Sequence, residues 1–367
     1  MIVKSITLDF FRNYPHLETS FSPDVNVICG ENAQGKTNLL EAIGYLSTAS
    51  SRRARYDREL IAFGADHALV KAEVFSRERD FTLEARLSRG ARRQLLSNGV
   101  RLKTAGELSG VLNTVFFCPE DLMLIREGAA ERRRFLDECI CQLRPRYAAA
   151  LAEYRRLHEQ KTRILRDWEE KPSLLDALDD FSLRMAQTGA VLIHYRAHFV
   201  RRLRETAPAI HREFSGGREE LGLKYETVST VQDPEGGVKD ILSALMAHQE
   251  RHRRAELESR QCLSGPHKDD LTVELGGVAA RQFASQGQTR TAALSLKLAA
   301  REIFHDDTGE WPVLLLDDVL SELDQRRQSF VLNRIKGGQV FITCCEDEKL
   351  EHLEGGKVLR IHNGALV

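Results

Sequence analysis

Few features of this sequence point to secretion or to a membrane. No apolar run approaches the roughly 20 residues that a membrane-spanning helix requires. The first residues, MIVKSITLDFFRNY, alternate in polarity and carry charge early, which is typical of a strand and not of a signal peptide. The net charge is only −1, so any surface for a polyanion must be local. These absences predict a cytoplasmic chain with no membrane partner.

Cysteines are few, and their spacing lacks the pattern of a metal site. There are 7 cysteines, an odd number, and no Cys-x-x-Cys pair occurs among them. Several stand inside apolar, strand-like runs, which predicts buried reduced thiols with neither disulfides nor zinc. The cysteines are Cys29, Cys118, Cys139, Cys141, Cys262, Cys344 and Cys345.

The order of residue patterns along the chain predicts one α/β unit interrupted by helices. The chain has 367 residues, which favours two structural units or one domain with a large insertion. Both ends alternate with the period of strands, whereas the middle has apolar residues at helical spacing and lacks a long heptad run. We expect an α/β head built from residues 1–120 and 263–367, with residues 121–262 forming a mainly helical insertion.

The segment GENAQGKT, from Gly30 to Thr37, matches the P-loop pattern G-x-x-x-x-G-K-[ST]. A predicted strand precedes it and a predicted helix follows, so backbone amides and a helix start can surround phosphates. Lys36 would reach the β- and γ-phosphates of ATP, and the Thr37 hydroxyl would hold Mg²⁺. The predicted nucleotide-binding residues are Gly30, Glu31, Asn32, Ala33, Gln34, Gly35, Lys36, Thr37 and Asn38.

The second motif, VLLLDD from Val313 to Asp318, is acidic and has the pattern of a Walker B strand. Asp317 would bind Mg²⁺ through water, and Asp318 would orient or deprotonate the attacking water. On its own, the motif is also compatible with a strand that ends in a solvated acidic turn. The segment SELD, Ser321 to Asp324, follows at once.

A polar cluster at Ser285, Gly287 and Gln288 opens a late amphipathic helix. Two interpretations stay open from these residues alone: an ordinary N-capped helix, or a second phosphate-binding helix start. The order of P-loop, Ser-x-Gly-Gln helix, Walker B strand and S-x-L-D resembles that of the ABC-type ATPases. That resemblance implies that Ser285 and Gly287 act in trans on the ATP of a second subunit, within a head-to-tail homodimer.

Four further segments closely resemble the RecF family of SMC-like ATPases. They are LDFFRNYPHLE, the run from Cys118 to Asp137, LSGPHKDDL and SQGQTRTAALSLKLA. The resemblance implies an SMC-like head with a helical second lobe, an ATP-dependent dimer on DNA, and slow ATP hydrolysis. It also implies help in loading RecA at gaps together with RecR and RecO, and it places Arg12 and Asn13 near the nucleotide.

Three positions depart from the common ABC pattern. Glu120 stands where many ABC ATPases carry the Q-loop glutamine, so it becomes a candidate metal ligand. Thr343 replaces the switch histidine, and the second Walker B acid is Asp318 in place of glutamate. The shorter base and the missing histidine indicate slow turnover, which suits a switch more than a motor.

The DNA-contacting residues are less defined than the ATP site. Arginine clusters occur in the segments SRRARYDR (51–58), SRGARRQ (88–94), REGAAERRR (126–134) and RHRR (251–254). Aromatic residues do not interleave with them, which favours contact with the duplex backbone. The segment GPHKDD offers His267, Asp269 and Asp270, which we interpret as a structural return to the head and not as a metal site.

Two other functions fit parts of the sequence. A cytosolic ABC subunit of a membrane transporter would normally have the Q-loop glutamine and the switch histidine, and both are missing. An SMC-like structural tether would need a long coiled coil, which the helical segment lacks. The sequence therefore favours a DNA-repair ATPase of RecF type.

Overall fold

The computed structural model describes residues 1–108, 110–319, 323–335, 337–345 and 356–367. The strands are β1 (Ile2–Phe11), β2 (Tyr14–Ser20), β3 (Val25–Cys29), β4 (His67–Ser76), β5 (Arg79–Ser88), β6 (Gln94–Ser97), β7 (Val100–Arg101), β8 (Thr114–Phe117), β9 (Leu221–Glu226), β10 (Asp270–Leu275), β11 (Val278–Ala279), β12 (Val313–Leu316), β13 (Val340–Cys344), β14 (Lys357–His362) and β15 (Ala365–Leu366). The helices are α1 (Lys36–Thr48), α2 (Met123–Arg126), α3 (Ala129–Leu143), α4 (Pro145–Asp167), α5 (Leu178–Ser215), α6 (Val238–Ser259), α7 (Ala280–Phe283), α8 (Gln286–Thr308) and α9 (Gln325–Arg334). They form two compact units: Met1–Leu122 with Ala293–Val367 (the first unit), and Met123–Ala292 (the second unit).

The sheet that positions the predicted ATP motifs has the strand order β15-β14-β3-β13-β12-β8. Strands β14, β3, β13, β12 and β8 are parallel to one another, whereas β15 is antiparallel to β14. Their carboxyl ends therefore share one edge, which is where open α/β sheets bind ligands. Gly30 follows β3 at this edge, Asp317 follows β12, and Cys345 follows β13.

The other sheet of the first unit is antiparallel, with the order β2-β1-β4-β5-β6-β7. Its strands alternate between buried and exposed residues, as expected when one face packs on a core. Asn98 and Gly99 make the predicted turn with φ of 51° and 76°, the positive values that a two-residue hairpin of this kind requires. Apolar residues of α1 and of both sheets share one buried core.

The second unit contains α2 to the start of α8 and a small sheet of order β11-β10-β9. Pro145 occupies the first turn of α4, where its missing N–H is harmless. The unit extends to Ala292, beyond the boundary at residue 262 expected from the sequence. The physical reason is strand pairing: β10 satisfies the backbone of β9 from Asp270↔Glu226 to Leu275↔Leu221.

The cysteines were expected to be buried thiols, and the chain was expected to lack a membrane-spanning helix. Cys29, Cys118, Cys139 and Cys262 are buried thiols, but Cys345 is exposed, so the prediction of burial is wrong for that residue. Cys345 stands just past the carboxyl end of β13, at the open edge of the parallel sheet.

Among the described residues, none of the helices combines the length and the apolarity that a bilayer crossing requires.

Candidate functional site

The P-loop joins β3 to α1 and folds around its own lysine. The Lys36 ammonium donates to the carbonyl oxygens of Gly30 and Glu31 over 2.5 and 2.9 Å. Gly35 has φ of 122° and Ala33 has φ of 65°, so the chain makes the reversal that lets its amides face inward. Lys36 is 8% exposed. The loop thus presents one ammonium and a ring of amides to an anion.

The β1–β2 turn and the carboxyl-terminal hairpin fix the outer side of the loop. The Asn13 amide donates to the Gln34 carbonyl over 2.8 Å, and the Gly364 N–H donates to the same oxygen over 3.0 Å. The Tyr14 hydroxyl donates to the Gly35 carbonyl over 2.9 Å, and the Asn38 amide donates to the Asn13 oxygen over 2.8 Å. Asn13 therefore contacts the P-loop backbone, as a residue that shapes the loop.

Arg12 of the β1–β2 turn forms an ion pair with Glu41 of α1. The Arg12 guanidinium donates to both Glu41 oxygens over 2.8 Å, the bidentate geometry that makes such pairs strong. Ser51 donates to Glu41 over 2.5 Å, and the Arg53 guanidinium lies 3.8 Å from it. Glu41 is 3% exposed and was not predicted, because a glutamate in a helix gives no signal of a partner far away in sequence.

The Walker B carboxylate meets the P-loop at the shared sheet edge. The Thr37 hydroxyl donates to Asp317 Oδ1 over 3.0 Å, and the Thr343 hydroxyl donates to the same oxygen over 2.8 Å. The Thr343 oxygen in turn accepts from the Asp318 N–H over 2.8 Å. Asp318 has φ of 52°, a strained conformation for a non-glycine residue that is enriched at functional sites. Thr343, at the expected position of the switch histidine, thus links the Asp317 carboxylate to the backbone of Asp318.

Burial, hydrogen bonds and nearby charges all act on the Asp317 carboxyl. Burial raises the pKa of the Asp317 carboxyl, against the lowering effect of Thr343 and Thr37, its hydrogen-bond donors. Arg53 lowers that pKa and Glu120 raises it, so both charges act on this carboxyl. Hydroxyl and carboxylate oxygens are the donors that Mg²⁺ prefers. The Thr37 and Asp317 oxygens, which meet at the sheet edge, therefore fit the predicted metal, and Glu120 stays a predicted ligand.

The helix start at Ser285 lies in the second unit and forms a reciprocal capping box. The Ser285 N–H donates to the Gln288 side-chain oxygen over 2.8 Å, and the Gln288 N–H donates to Ser285 Oγ over 3.3 Å. Ser285 and Gln286 are exposed, and Gly287 is partly exposed. In the single chain, the helix start is therefore capped as the first interpretation predicts. Because Ser285 and Gln286 are exposed, a ligand can still approach this helix start.

Only part of the SELD motif lies within the described residues. The Asp324 carboxylate accepts from the Arg327 N–H over 2.9 Å and caps α9. Ser321 and Glu322 lie outside the described residues.

Several arginines of the predicted DNA clusters bind other parts of the chain. Arg52 pairs with Asp121, Arg93 with Asp57, and Arg132 with Asp270. By contrast, Arg55 and Arg58 are exposed and lie over the Tyr56 ring, 5.4 and 4.8 Å from its centroid. An aromatic residue is therefore interleaved with the first cluster, and the expectation that none would be is wrong there.

The GPHKDD segment belongs to a buried polar network of the second unit. Asp269 is 0% exposed; it accepts from Arg196 over 3.0 Å, from Thr227 over 2.7 Å and from the Tyr225 hydroxyl. Arg196 also donates to Asp137. No group of three or more His, Cys, Asp or Glu residues suited to a metal occurs in the described part of the chain. The geometry gives this segment a structural role.

Comparisons with known proteins agree with this geometry. Residues 2–364 match the family described as RecF/RecN/SMC N terminal domain. A protein of Agathobacter rectalis named DNA replication and repair protein RecF is 41% identical, over 94% of this chain and 92% of its own. A protein of the same name from Clostridium perfringens is 37% identical over 100% and 99%.

Solved structures give the same result for the fold. A chain described as the recombination mediator protein RecF-ATPrS in the RecFOR pathway is similar with a TM-score of 0.91 and 34% identity, over 99% of this chain and 97% of that one. The Smc head domain from Pyrococcus furiosus, at 17% identity and a TM-score of 0.56, shares the fold, over 100% of this chain and 95% of that one.

Proposed function

The chain belongs to the RecF family, and on that premise we propose how its ATP site, its dimer and its DNA surface work together. Membership confirms the predicted family, the SMC-type α/β head and an ATPase of DNA replication and repair.

ATP is held within one chain by the P-loop and the Walker B strand. Lys36 neutralises the β- and γ-phosphates, and the loop amides bind their oxygens. Thr37, Asp317 and Glu120 would hold Mg²⁺, which when bound supplies positive charge at the transferring phosphate. Asp318 accepts a proton from the attacking water. One chain of hydrogen bonds carries this proposal. It joins the Thr37 hydroxyl, the Asp317 carboxylate, the Thr343 hydroxyl and the Asp318 backbone N–H.

The second subunit completes the site with its own helix start. Ser285, Gly287 and Gln288 approach the γ-phosphate of the partner copy, where the amides at the start of α8 and the positive end of its dipole favour an anion. Their exposure supports this role. The result is an ATP-dependent homodimer with two composite sites, which closes when nucleotide is bound and opens after slow hydrolysis.

DNA is bound by this closed dimer, mainly through phosphates. Arg55, Arg58, Arg92, Arg126 and Arg251 are exposed and are better candidates than the paired arginines. Each contact releases counterions, so binding depends on salt and little on sequence. RecR, RecO and RecA are the proposed partners, by membership of the family, and the closed dimer would mark the gap at which RecA is loaded.

Mixing two inactive variants tests the composite site. Ser285→Arg blocks the partner's γ-phosphate and leaves Lys36, Thr37 and Asp317 intact, so this variant should bind ATP as a monomer but fail to dimerise. Asp318→Asn should dimerise without hydrolysis, since a general base is worth about 10²–10⁴ in rate. In the mixture, one site of each heterodimer combines an intact Ser285 with an intact Asp318, and ATP hydrolysis should reappear.

The matched control is Ser243→Arg, the same chemical change at an exposed serine of α6, which should retain dimerisation and hydrolysis. If Ser285→Arg abolishes ATP binding by the monomer and the mixture shows no recovery, Ser285 acts in its own subunit and the trans arrangement is wrong.

A further inference from the structure

The carboxylate of Asp121 joins three segments of the first unit. Asp121 lies in the 3-10 turn Pro119–Leu122, directly after β8, and is 3% exposed. It accepts from the Cys118 N–H over 3.0 Å, which closes the turn, and from the Lys297 ammonium of α8 over 2.9 Å. Arg52, which follows α1 in the chain, donates to Oδ1, the oxygen that Lys297 also contacts, while the Cys118 N–H donates to Oδ2.

Two cations compensate this single buried charge. Burial alone would raise the pKa of Asp121, but Arg52 and Lys297 together lower it to about 2. The carboxylate is therefore ionised at any working pH. Removing its charge would leave two cations, 17% and 5% exposed, beside each other without an anion, which is strongly unfavourable in a buried site.

A residue next to this junction contacts the predicted ATP site. Glu120 directly precedes Asp121, and Arg53 directly follows Arg52. The Arg53 guanidinium donates to the Asn38 side chain, one residue after Thr37, over 2.9 Å. The same guanidinium lies 3.8 Å from Glu41 of α1. The side chain that follows Arg52 is thus held beside the first turns of α1, next to the P-loop.

We propose that Asp121 is a positioning residue for ATP hydrolysis, which holds Arg53 in place beside the P-loop residue Asn38 by anchoring Arg52 to the turn Pro119–Leu122. This inference rests on the proposed ATP site. Asp121 itself lies outside the site and contacts no P-loop residue among those described. ATP binding through Lys36 and the loop amides therefore does not require it, whereas hydrolysis depends on the alignment of the charges near the γ-phosphate.

Asp121→Asn in the full-length protein separates positioning from folding. We expect single-turnover ATP hydrolysis to fall about ten- to a hundredfold, since displacement by about 1 Å can reduce a rate roughly a hundredfold. The dissociation constant for ATP, measured by calorimetry, should stay within about threefold. Hydrogen exchange of residues 50–54 and 118–122 should become faster without any nucleotide, because Arg52 no longer fixes the two segments to each other.

Asp137→Asn is the matched control. Asp137 is 6% exposed and pairs with the buried Arg196 in the second unit, so the change removes an equally buried charge from an arginine. It should lower the melting temperature while hydrolysis per folded molecule and exchange in 50–54 stay as in wild type. Arg52→Gln is the second variant, for use if Asp121→Asn does not fold; it should give the same loss of hydrolysis. The double variant should be no slower than either single one, since both break one interaction.

Three results would overturn the proposal: hydrolysis within twofold of wild type in folded Asp121→Asn, a loss of ATP affinity as large as the loss of rate, or equal effects from Asp137→Asn. A wild-type chain that binds no ATP would instead overturn the proposed site. The exchange measurement would still report whether Asp121 couples the two segments, so the two failures are distinguishable.

Discussion

Acid should weaken the second unit through His267. The His267 Nε2 atom donates to the Cys262 carbonyl over 2.9 Å, and its Nδ1 atom lies 2.6 Å from the Tyr154 hydroxyl. These two partners suit a neutral ring, with one nitrogen donating and the other accepting. Burial lowers the pKa of His267 to about 3, whereas an unfolded histidine titrates near about 6.5. The unfolded chain therefore takes up the proton first.

The sign and size of the effect follow from proton linkage. Because the folded pKa lies below the unfolded one, the neutral ring contributes its full stability above about pH 6.5, and this contribution is lost as the pH falls toward the folded value. Between pH 7 and pH 5 the loss amounts to about 2 kcal/mol, and each further pH unit adds about 1.4 kcal/mol until the folded ring titrates.

The two tryptophans allow this loss to be measured in one unit. Trp168 lies in the second unit and Trp311 in the first, so in a Trp311→Phe background the fluorescence reports on the second unit alone. Urea unfolding at pH 7 and pH 5 then gives its free energy of unfolding. His267→Gln keeps a donor for the Cys262 carbonyl and cannot titrate. We expect it to lose about 2 kcal/mol less than its parent between the two pH values.

His158 makes the comparison with the variant necessary. Its ring lies 4.4 Å from that of His267, and burial lowers its pKa as well, so the parent slope contains both histidines. His16→Gln, at an exposed position of the first unit, should leave the slope unchanged. Equal pH slopes in His267→Gln and its parent would refute the assignment of the neutral ring.

Three further outcomes test the ATP and DNA surfaces. Lys36→Ala should abolish ATP-dependent dimerisation in light scattering, because the phosphate charge loses its ammonium; undiminished dimer formation would contradict the P-loop assignment. Thr343→Val should lower ATP turnover by about tenfold or more with unchanged ATP affinity. It removes from Asp317 one charge-assisted hydrogen bond, which is worth about 1.5–3 kcal/mol. The matched control is Thr48→Val, in the last turn of α1. Duplex binding in ATP should weaken linearly with log salt, with a slope of about −0.9 for each phosphate contacted; a flat response would contradict backbone binding through Arg55 and Arg58.

Sequence alone was sufficient to predict a local structure whose residues are neighbours in the chain. The P-loop from Gly30 to Thr37 is one contiguous turn, and the strand before it and the helix after it are encoded by local periodicity. The Asn98-Gly99 turn needs only the positive φ that these residues tolerate. The capping box of Ser285 and Gln288 joins residues only three positions apart. Each of these features could be predicted because its physical cause lies within a few residues.

Tertiary structure alone decided which distant residues meet. Thr343 joins Asp317 and Asp318 because β13 lies between β3 and β12 in the sheet, an order that no local pattern encodes. Asp121 and Arg52 are 69 positions apart in the chain, and Arg52 alone would count as a surface arginine. The second unit continues past residue 262 because β10 pairs with β9, from which α6 separates it in the chain. Strand order and buried ion pairs depend on the energy of the whole packed chain, and for that reason they become visible only in the fold.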